Sequence, residues 1–369
     1  MSQQRLRIGF IGLQAERGWG LSAHLPALRA LADGFEVTAV ANSSLESSTK
    51  AAQALGVPHA FASASELAQS PEVDIVVVTV KVPHHFELVK AAIEAGKHVY
   101  CEWPLGNGLE EAKILTDLAQ KKGVLAVVGT QARVAPEIIH LRNLVAEGYV
   151  GEILSTTLIG ASPPWGGSID KPNAYTYDRA NGANLLTIPF GHTIAALFDV
   201  LGPIAELSAR LDVRRKTATL VETGESIPAT SPDQVLVAGT LESGAPISAH
   251  YYGGESKGDG LIWRIVGTQG ELQLTGPGGH SQLVQLELFG AQGETKKLEK
   301  LPLPKKLADD ATDGPIVGNV RRVYQALAAD LRDDTQTAPS FADAVKVHQV
   351  IAAIEAAAES KGFARPADF

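Results

Sequence analysis

The sequence predicts an α/β protein: a doubly wound parallel sheet in the N-terminal part, then a C-terminal α+β domain with a large, mostly antiparallel open sheet. Three observations carry that reading. Short apolar, β-branched runs alternate with helical patterns through the first 130 residues, the rhythm of parallel strands joined by crossover helices. A glycine-rich loop, GFIGLQAERGWG (9–20), separates the first strand from the first helix. Beyond residue 205, strand-like runs follow one another across glycine turns with no helix between them, which suits antiparallel pairing. A chain of 369 residues is too long for one ordinary domain. The expected domains are 1–130 and 131–369, with the terminal helices free to pack back on the first.

Leu6–Gly12 (LRIGFIG) is the first strand, and Leu21–Leu31 carries apolar residues at helical spacing. Phe35–Ala41 (FEVTAVA) is the second strand, followed by a helix from about Leu45 to Leu55. Val73–Val80 (VDIVVVTV) is continuously apolar and β-branched, the mark of a strand buried on both faces. A helix from His84 to Glu94 ends at the glycine stop Ala95-Gly96-Lys97. The strand His98–Glu102, the helix Leu109–Lys121 and the strand Val124–Gly129 complete this series. Helices Pro136–Glu147 and Asn184–Leu201 then bracket a polar, aromatic stretch, Ser162–Asn181. Strand-like runs follow at 205–213, 234–241, 246–252, 261–266, 271–275 and 283–289. Residues 296–314, rich in charge and proline, read as a surface connection. Two final helices, roughly Val317–Leu331 and Phe341–Glu359, close the chain, and Val347, Val350, Ile351 and Ile354 share one face.

The chain is 45% hydrophobic and 20% charged, with a formal net charge of −9 and one cysteine, Cys101. One thiol cannot form an internal disulfide, so a cytoplasmic location is expected. Nucleic acid is excluded as a direct partner, because phosphate binding needs clustered Lys and Arg. No 18-residue apolar run occurs, and Met-Ser-Gln-Gln-Arg leads straight into a strand, so neither a membrane span nor a signal sequence is expected. No His/Cys/Asp spacing suggests a metal site.

The glycine loop stands where a dinucleotide fold holds a pyrophosphate on backbone N–H groups at a helix start. Gly12, Gln14, Arg17, Gly18 and Trp19 are its candidate cofactor contacts, although the spacing is longer than G-x-G-x-x-G. A tight strand–helix turn would need similar glycines, and it is the surrounding strand–helix series that favours the nucleotide. After the second strand, where a carboxylate would bind the ribose of NAD, the chain has Asn42-Ser43-Ser44. Asn42 and Ser43 carry no charge to repel a 2′-phosphate, and Arg17 offers a cation. The cofactor is therefore NAD or NADP with a slight tilt toward NADP, unless Asn42 merely caps the next helix.

The glycine loop, GLSAHLPAL (20–28), His84, AGKHVYCEWPL (95–105) and GANLLTIPFGH (182–192) together resemble the glucose–fructose oxidoreductase/inositol dehydrogenase (Gfo/Idh/MocA) family, in the correct order along nearly the whole chain. The resemblance implies an N-terminal Rossmann domain and a C-terminal sheet covering the nicotinamide. It implies sugar- or polyol-like substrates and dimers or tetramers. It also adds Val80, Lys81, His84, Glu102 and Trp103 to the cofactor contacts. Family members usually read Glu-Lys-Pro, with the lysine positioning substrate and assisting proton transfer, where this chain reads Glu102-Trp103-Pro104. An Asp tends to precede the catalytic His by four residues; the match is Ile188, with His192 retained. The Thr-Pro-Asn motif becomes Thr79-Val80-Lys81. These departures together resemble the subgroup around the fungal galactose-pathway repressor, which binds NAD(P) on this fold and inhibits transcription through protein contacts.

With the usual lysine gone, His192 and Lys81 are the candidate catalytic residues. Imidazole titrates near neutral pH, and an ammonium following one parallel strand can reach the cleft beside the next. A lone histidine on an apolar helix and a solvated loop lysine are the structural alternatives. Trp103, Trp165, Tyr175, Tyr177 and Asp178 are candidate substrate contacts, aromatic faces and a carboxylate suited to a sugar; a loop packing on its own domain would look the same. The sequence thus points to an NAD(P)-dependent oxidoreductase acting on a sugar, polyol or glycoside-like alcohol or ketone. The alternatives are a cofactor-loaded, non-catalytic regulator and a redox-neutral lyase or glycosidase using bound NAD. A homodimer or homotetramer is expected through residues 205–290, since an open sheet leaves one face uncovered.

Overall fold

The computed structural model describes residues 5–369. Six parallel strands build the first sheet: β1 (Leu6–Ile11), β2 (Phe35–Ala41), β3 (His59–Phe61), β4 (Ile75–Val78), β5 (His98–Glu102) and β6 (Ala126–Gly129). They lie in the order β3-β2-β1-β4-β5-β6, so the winding reverses between β1 and β4, the place where doubly wound folds take a ligand. All four residues of β4 are buried, as its unbroken apolar run requires. The crossovers are α1 (Leu25–Arg29), α2 (Leu45–Leu55), α3 (Ala64–Gln69), α4 (His85–Glu94) and α5 (Leu109–Lys122). At the start of α2 the Ser44 side chain accepts the Ser47 N–H, and Gly56 ends the helix at φ 73°, a left-handed stop that glycine adopts without strain.

Two features of this part depart from the sequence reading. β3 and α3 were not expected, being only three and six residues long. The first helix, expected as one piece, opens with a π-helical turn at Gly20–His24 before α1. Pro26 has no N–H to give an α ladder, and the Leu25 N–H reaches back to the Gly20 carbonyl instead.

The C-terminal part contains α6 (Pro136–Ala146), β7 (Ile153–Ser162), β8 (Ser168–Ile169), α7 (Gly191–Leu201), β9 (Ile204–Asp212), β10 (Thr217–Leu220), β11 (Ser226–Pro228), β12 (Gln234–Leu241), β13 (Pro246–Gly253), β14 (Leu261–Gly267), β15 (Gly270–Gly276), β16 (Glu287–Gln292), β17 (Glu299–Lys300) and α8 (Lys305–Asp309). The long helices α9 (Gly314–Asp333) and α10 (Phe341–Ser360) and the short β18 (Phe363–Ala364) end the chain. Nine strands form one sheet in the order β17-β16-β15-β14-β7-β13-β12-β9-β18. Only β7 and β13 pair in parallel; the other neighbours are antiparallel. The expected run 283–289 is corrected to β16, and the helix expected from Asn184 begins as a π-helical turn, Leu186–Phe190, around Pro189.

The central strand β7 was not expected at all. Its inward Thr156 is buried, donates to the Arg264 carbonyl at 2.9 Å and accepts from Trp263 Nε1 at 3.0 Å. A satisfied polar residue on the core face hides the alternation that marks a strand. The opposite face of this sheet is open. Thr157, Ile159, Arg210, Leu236 and His250 line a depression of about 940 Å³ on it.

The chain forms two compact units. One runs to Gln131 and takes in Ile316–Val345; the other comprises Ala132–Pro315 and Lys346–Phe369. One helical stretch, Arg179–Leu201, has the length and hydropathy of a membrane span, but 83% of that window is buried, as in a core helix.

Candidate functional site

In the first unit the loops after the strands build a cradle. Gly12 follows β1 at φ +100°, and a Cβ there would stand 2.7 Å from Val80 Cγ1 and 3.1 Å from the Thr79 backbone. Gly18 takes φ +97°. Both values favour glycine. In this unit the buried side-chain polar atoms lacking a hydrogen-bond partner among the described residues are Trp19 Nε1, Asn42 Oδ1, Thr130 Oγ1 and Gln131 Oε1. Every one follows the carboxyl end of β1, β2 or β6. Buried polar groups are nearly always paired, so this clustering at one end of a parallel sheet fits a ligand with polar groups of its own. Glycines that leave room at the backbone and orphaned donors and acceptors together fit a dinucleotide.

The tilt toward NADP finds no support. The Asn42 amide donates to the Leu13 and Ser47 carbonyls at 2.8 and 3.3 Å. Arg17 Nε donates to Gln14 Oε1 at 3.1 Å, and Lys50 Nζ pairs with Glu16 at 2.7 Å. Arg17 Nε and Lys50 Nζ thus each already have a partner, and Glu16 adds a negative charge to this end. Ser43 is exposed.

At the ends of β4 and β5, Val78 pairs with Cys101, so Lys81 and Trp103 follow adjacent strands. Lys81 and His84 are exposed, Val80 is half-buried and Trp103 is 5% exposed. His85 is buried, with Nδ1 2.7 Å from the Pro104 carbonyl and Nε2 3.0 Å from the Val80 carbonyl. Burial pushes its pKa down, and the neutral ring has one N–H, so it donates to one of these two carbonyls at a time. Glu102 accepts from His24 Nε2 at 2.8 Å and from Gln131 Nε2 at 2.7 Å. The sequence reading singled out neither donor, because His24 lies on an apolar helix like any core histidine.

In the second unit His192 lies on α7 and is 1% exposed. Its Nδ1 has no partner among the described residues, and its ring centre is 5.5 Å from that of His280. Burial, and secondarily His280, push the His192 pKa well below its ordinary value, while burial lowers His280 to about 4. Near neutral pH both rings are therefore uncharged, and a neutral imidazole can accept a proton or donate one. Ser162 Oγ, Trp165 Nε1 and Ser281 Oγ are likewise buried without partners. The sequence reading missed His280 and Ser281, which lie in the glycine-rich loop GPGGHSQ after β15.

Trp165 is 4% exposed at φ 67°. The Tyr177 hydroxyl donates to the Gly166 carbonyl at 3.1 Å, and burial raises its pKa to about 12. Asp178 Oδ1 accepts the Ala180 N–H at 3.0 Å, and the Tyr175 carbonyl accepts from Asn181 Nδ2 at 2.7 Å. Tyr177 and Asp178 thus brace the loop, whereas Trp165 keeps an uncommitted donor.

A parallel sheet with a glycine cradle and orphaned polar atoms at its carboxyl end, in a chain whose second unit carries buried neutral histidines, defines the class: a dinucleotide-binding protein of oxidoreductase type. The chain belongs to the Gfo/Idh/MocA oxidoreductase family, in its Gal80-like branch. The profile of the oxidoreductase family with the NAD-binding Rossmann fold matches residues 6–130, and that of the Gal80p C-terminal domain matches residues 136–276. The dehydrogenase aclE of Aspergillus oryzae is 31% identical, over 97% of this chain and 97% of its own. The galactose/lactose metabolism regulatory protein GAL80 of Saccharomyces cerevisiae is 28% identical, over 91% of this chain and 85% of its own. Among solved structures, a super-repressor mutant of Gal80p from Saccharomyces cerevisiae superposes with a TM-score of 0.90 at 26% identity, covering 98% of each chain. A levoglucosan dehydrogenase in complex with NADH and L-sorbose gives 0.83 at 20% identity, covering 98% of each chain, a likeness of fold alone.

Proposed function

We propose that the protein is an NAD-dependent oxidoreductase acting on a sugar, polyol or glycoside-like alcohol or ketone, with His192 in place of the usual lysine-centred proton machinery. Residues 1–130 bind the cofactor, and 131–369 serve substrate binding and assembly. The observation that carries this reading is His192, a buried neutral imidazole with an unpartnered nitrogen. The bound nicotinamide supplies hydride exchange at C4. The chain's own residues do the rest: His192 exchanges the substrate's hydroxyl proton, Lys81 is the second candidate for that proton work, and Trp103 and Trp165 are candidate apolar faces for a sugar ring. NAD is favoured because Asn42, Arg17 and Lys50 are committed elsewhere. A chain whose one thiol is buried suits the cytoplasm, and the open sheet face suits a second copy. The test is absorbance at the reduced-nicotinamide band with purified protein, NAD or NADH, and a panel of sugars, polyols, glycosides and their keto forms. Turnover with at least one member is expected.

A second reading has its own support. Trp103 occupies the lysine's place, and a relative along most of the chain is named as a regulatory protein. In that reading the protein binds NAD and acts through protein contacts. Dinucleotide binding without turnover across the panel, with a stable protein complex recovered from cells, would favour it over the first.

A further inference from the structure

Ser162 Oγ, Trp165 Nε1, His192 Nδ1 and Ser281 Oγ of the second unit are buried and have no hydrogen-bond partner among the described residues. None of these four residues is more than 4% exposed. The proton chemistry proposed above uses His192 and leaves the polar atoms of the other three unexplained. An unpaired buried donor or acceptor is costly to keep, so several in one place point to a ligand that pairs with them.

The backbone brings them to one place, the carboxyl end of β7. Alternate residues of a strand share a face, so Ser162 lies on the face of Gly160. The Tyr251 ring covers Gly160, and its hydroxyl is 2.7 Å from Thr193 Oγ1. That face therefore meets the first turn of α7, where His192 precedes Thr193. The loop 277–282 after β15 reaches the same strand end. The Gly279 N–H donates to the Ala161 carbonyl at 2.6 Å, and a Cβ on Gly279 would stand 2.7 Å from the Ala161 nitrogen. The next residue, His280, has its ring centre 5.5 Å from that of His192, and Ser281 follows it. Trp165 is seated against the end of β13: the Gly254 N–H donates to the Ser162 carbonyl at 2.7 Å, and a Cβ on Gly253 would collide with the Trp165 carbonyl oxygen. A bulky residue at φ 67° is held there against strain, as happens where a side chain must be aimed.

The chemistry of this set is that of a hydroxyl binder. An indole N–H only donates, whereas a serine hydroxyl donates and accepts. Gln282 Nε2 donates to His280 Nε2 at 3.3 Å, which leaves the His280 ring proton on Nδ1. No Asp, Glu, Lys or Arg occurs at residues 160–167, 182–198 or 276–286. Arg215 comes near Gly254, but its Nη1 donates to the Gly253 carbonyl at 3.1 Å and pairs with Asp233 at 3.5 Å. Burial keeps both histidines uncharged near neutral pH. A carboxylate, ammonium or phosphate brought here would lose its water and meet no opposite charge.

We propose that the loop 277–282 determines specificity: His280 and Ser281, with Ser162 and Trp165, hold the hydroxyls of an uncharged substrate beside His192, and sugar acids, amino sugars and sugar phosphates are rejected. This rests on the reading of His192 as the proton carrier of an oxidoreductase.

The test uses the full chain with NAD and matched sets drawn from the panel above: glucose, galactose and mannose, each with its alditol, its aldonate, its 2-amino sugar and its 6-phosphate. Turnover is read at the reduced-nicotinamide band and binding by saturation-transfer NMR. At least one neutral compound should be turned over, with kcat/KM at least about tenfold above that of its charged counterparts. Ser162→Ala, Ser281→Ala and His280→Phe should each raise the KM of that compound about threefold to tenfold, the loss of one neutral hydrogen bond. The two serine variants should keep or raise the urea midpoint measured without sugar, since each removes an orphaned hydroxyl rather than a bond of the fold. Serine variants with a lowered midpoint and an unchanged KM would show that the hydroxyls serve the fold and would overturn the proposal. A charged counterpart used as well as the neutral compound would also overturn it. Either result leaves the oxidoreductase reading standing. Neither turnover nor saturation transfer with any neutral compound, while NAD binds, would overturn that reading and this proposal together.

Discussion

At the residue scale, chemistry and packing separate cleanly at two positions. His192 is buried with an uncommitted Nδ1, so removing it takes away a proton carrier without breaking a hydrogen bond at that nitrogen, at the cost of a cavity on α7. General acid–base groups are typically worth ~10²–10⁴ in rate. His192→Ala should therefore lower turnover at least ~100-fold, with the NAD dissociation constant nearly unchanged; Lys81→Ala should do the same if its ammonium shares the proton work. Steady-state kinetics beside calorimetry reads both quantities. Cys101 illustrates the opposite case. It is buried, and burial, then the charge of Glu102, push its thiol pKa well up, so it holds little of the reactive thiolate. A thiol reagent such as DTNB should label native protein far more slowly than urea-unfolded protein; equal rates would contradict the buried thiol. The motif singled out His192. His280 was not legible, since a histidine in a glycine loop carries no periodic signal and only the fold brings it to His192.

At the element scale, the sequence was informative wherever burial was uniform and silent wherever a polar residue was satisfied inside. β4, a run of aliphatic residues, was found with only its ends overextended, because nothing in it competes with strand pairing. β7 escaped notice because Thr156 points inward and is satisfied by Trp263 and Arg264. The two π-helical turns lie at prolines, whose missing N–H a periodicity count does not see. Two glycines test these elements. A side chain at Gly12 meets Val80 and the Thr79 backbone at a positive φ, so Gly12→Val should abolish dinucleotide binding while the circular dichroism spectrum stays native. Gly160, on β7, lies under Tyr251, and its Cβ would fall 2.3 Å from that ring. Gly160→Ala should cost about 1–3 kcal/mol of stability by overpacking, read as a lower urea midpoint; an unchanged midpoint would mean that the ring is free to move.

At the scale of the whole molecule, two properties follow from what is buried and what is left bare. His85, His192 and His348 are each no more than 2% exposed, and burial lowers all three pKa values, His348 to about 3. Between those folded values and the ordinary one near 6.5, the unfolded chain binds more protons than the folded one. Stability is therefore fully present above about pH 6.5 and falls as the pH drops, by up to about 1.4 kcal/mol per pH unit for each such histidine. Urea titrations between pH 7 and pH 4.5 should show that slope, and His348→Gln should flatten it by about one proton. The open face of the nine-stranded sheet exposes Ile159 (38%) and Leu236 (39%) around its depression. Apolar sheet surface of this kind is commonly buried against a second copy. Light scattering should thus give a multiple of 38.8 kDa at micromolar concentration, reduced toward that mass by Leu236→Arg.

The division of the molecule into a parallel-sheet unit and an open-sheet unit was legible from rhythm and glycine turns. The sequence left the terminal helices free to pack back on the first domain without saying which would, because an amphipathic helix near the end of a chain carries no sign of which sheet it covers; most of α9 falls in the first unit. The most direct measurement follows a label: NADH deuterated at C4 is incubated with the protein and the keto sugars of the panel, and the products are examined by mass spectrometry. Hydride transfer predicts deuterium on the reduced carbon of one product, with the rate of labelling collapsing in His192→Ala. Tight NADH binding with every product unlabelled would contradict an oxidoreductase and leave a protein that holds its cofactor for another purpose.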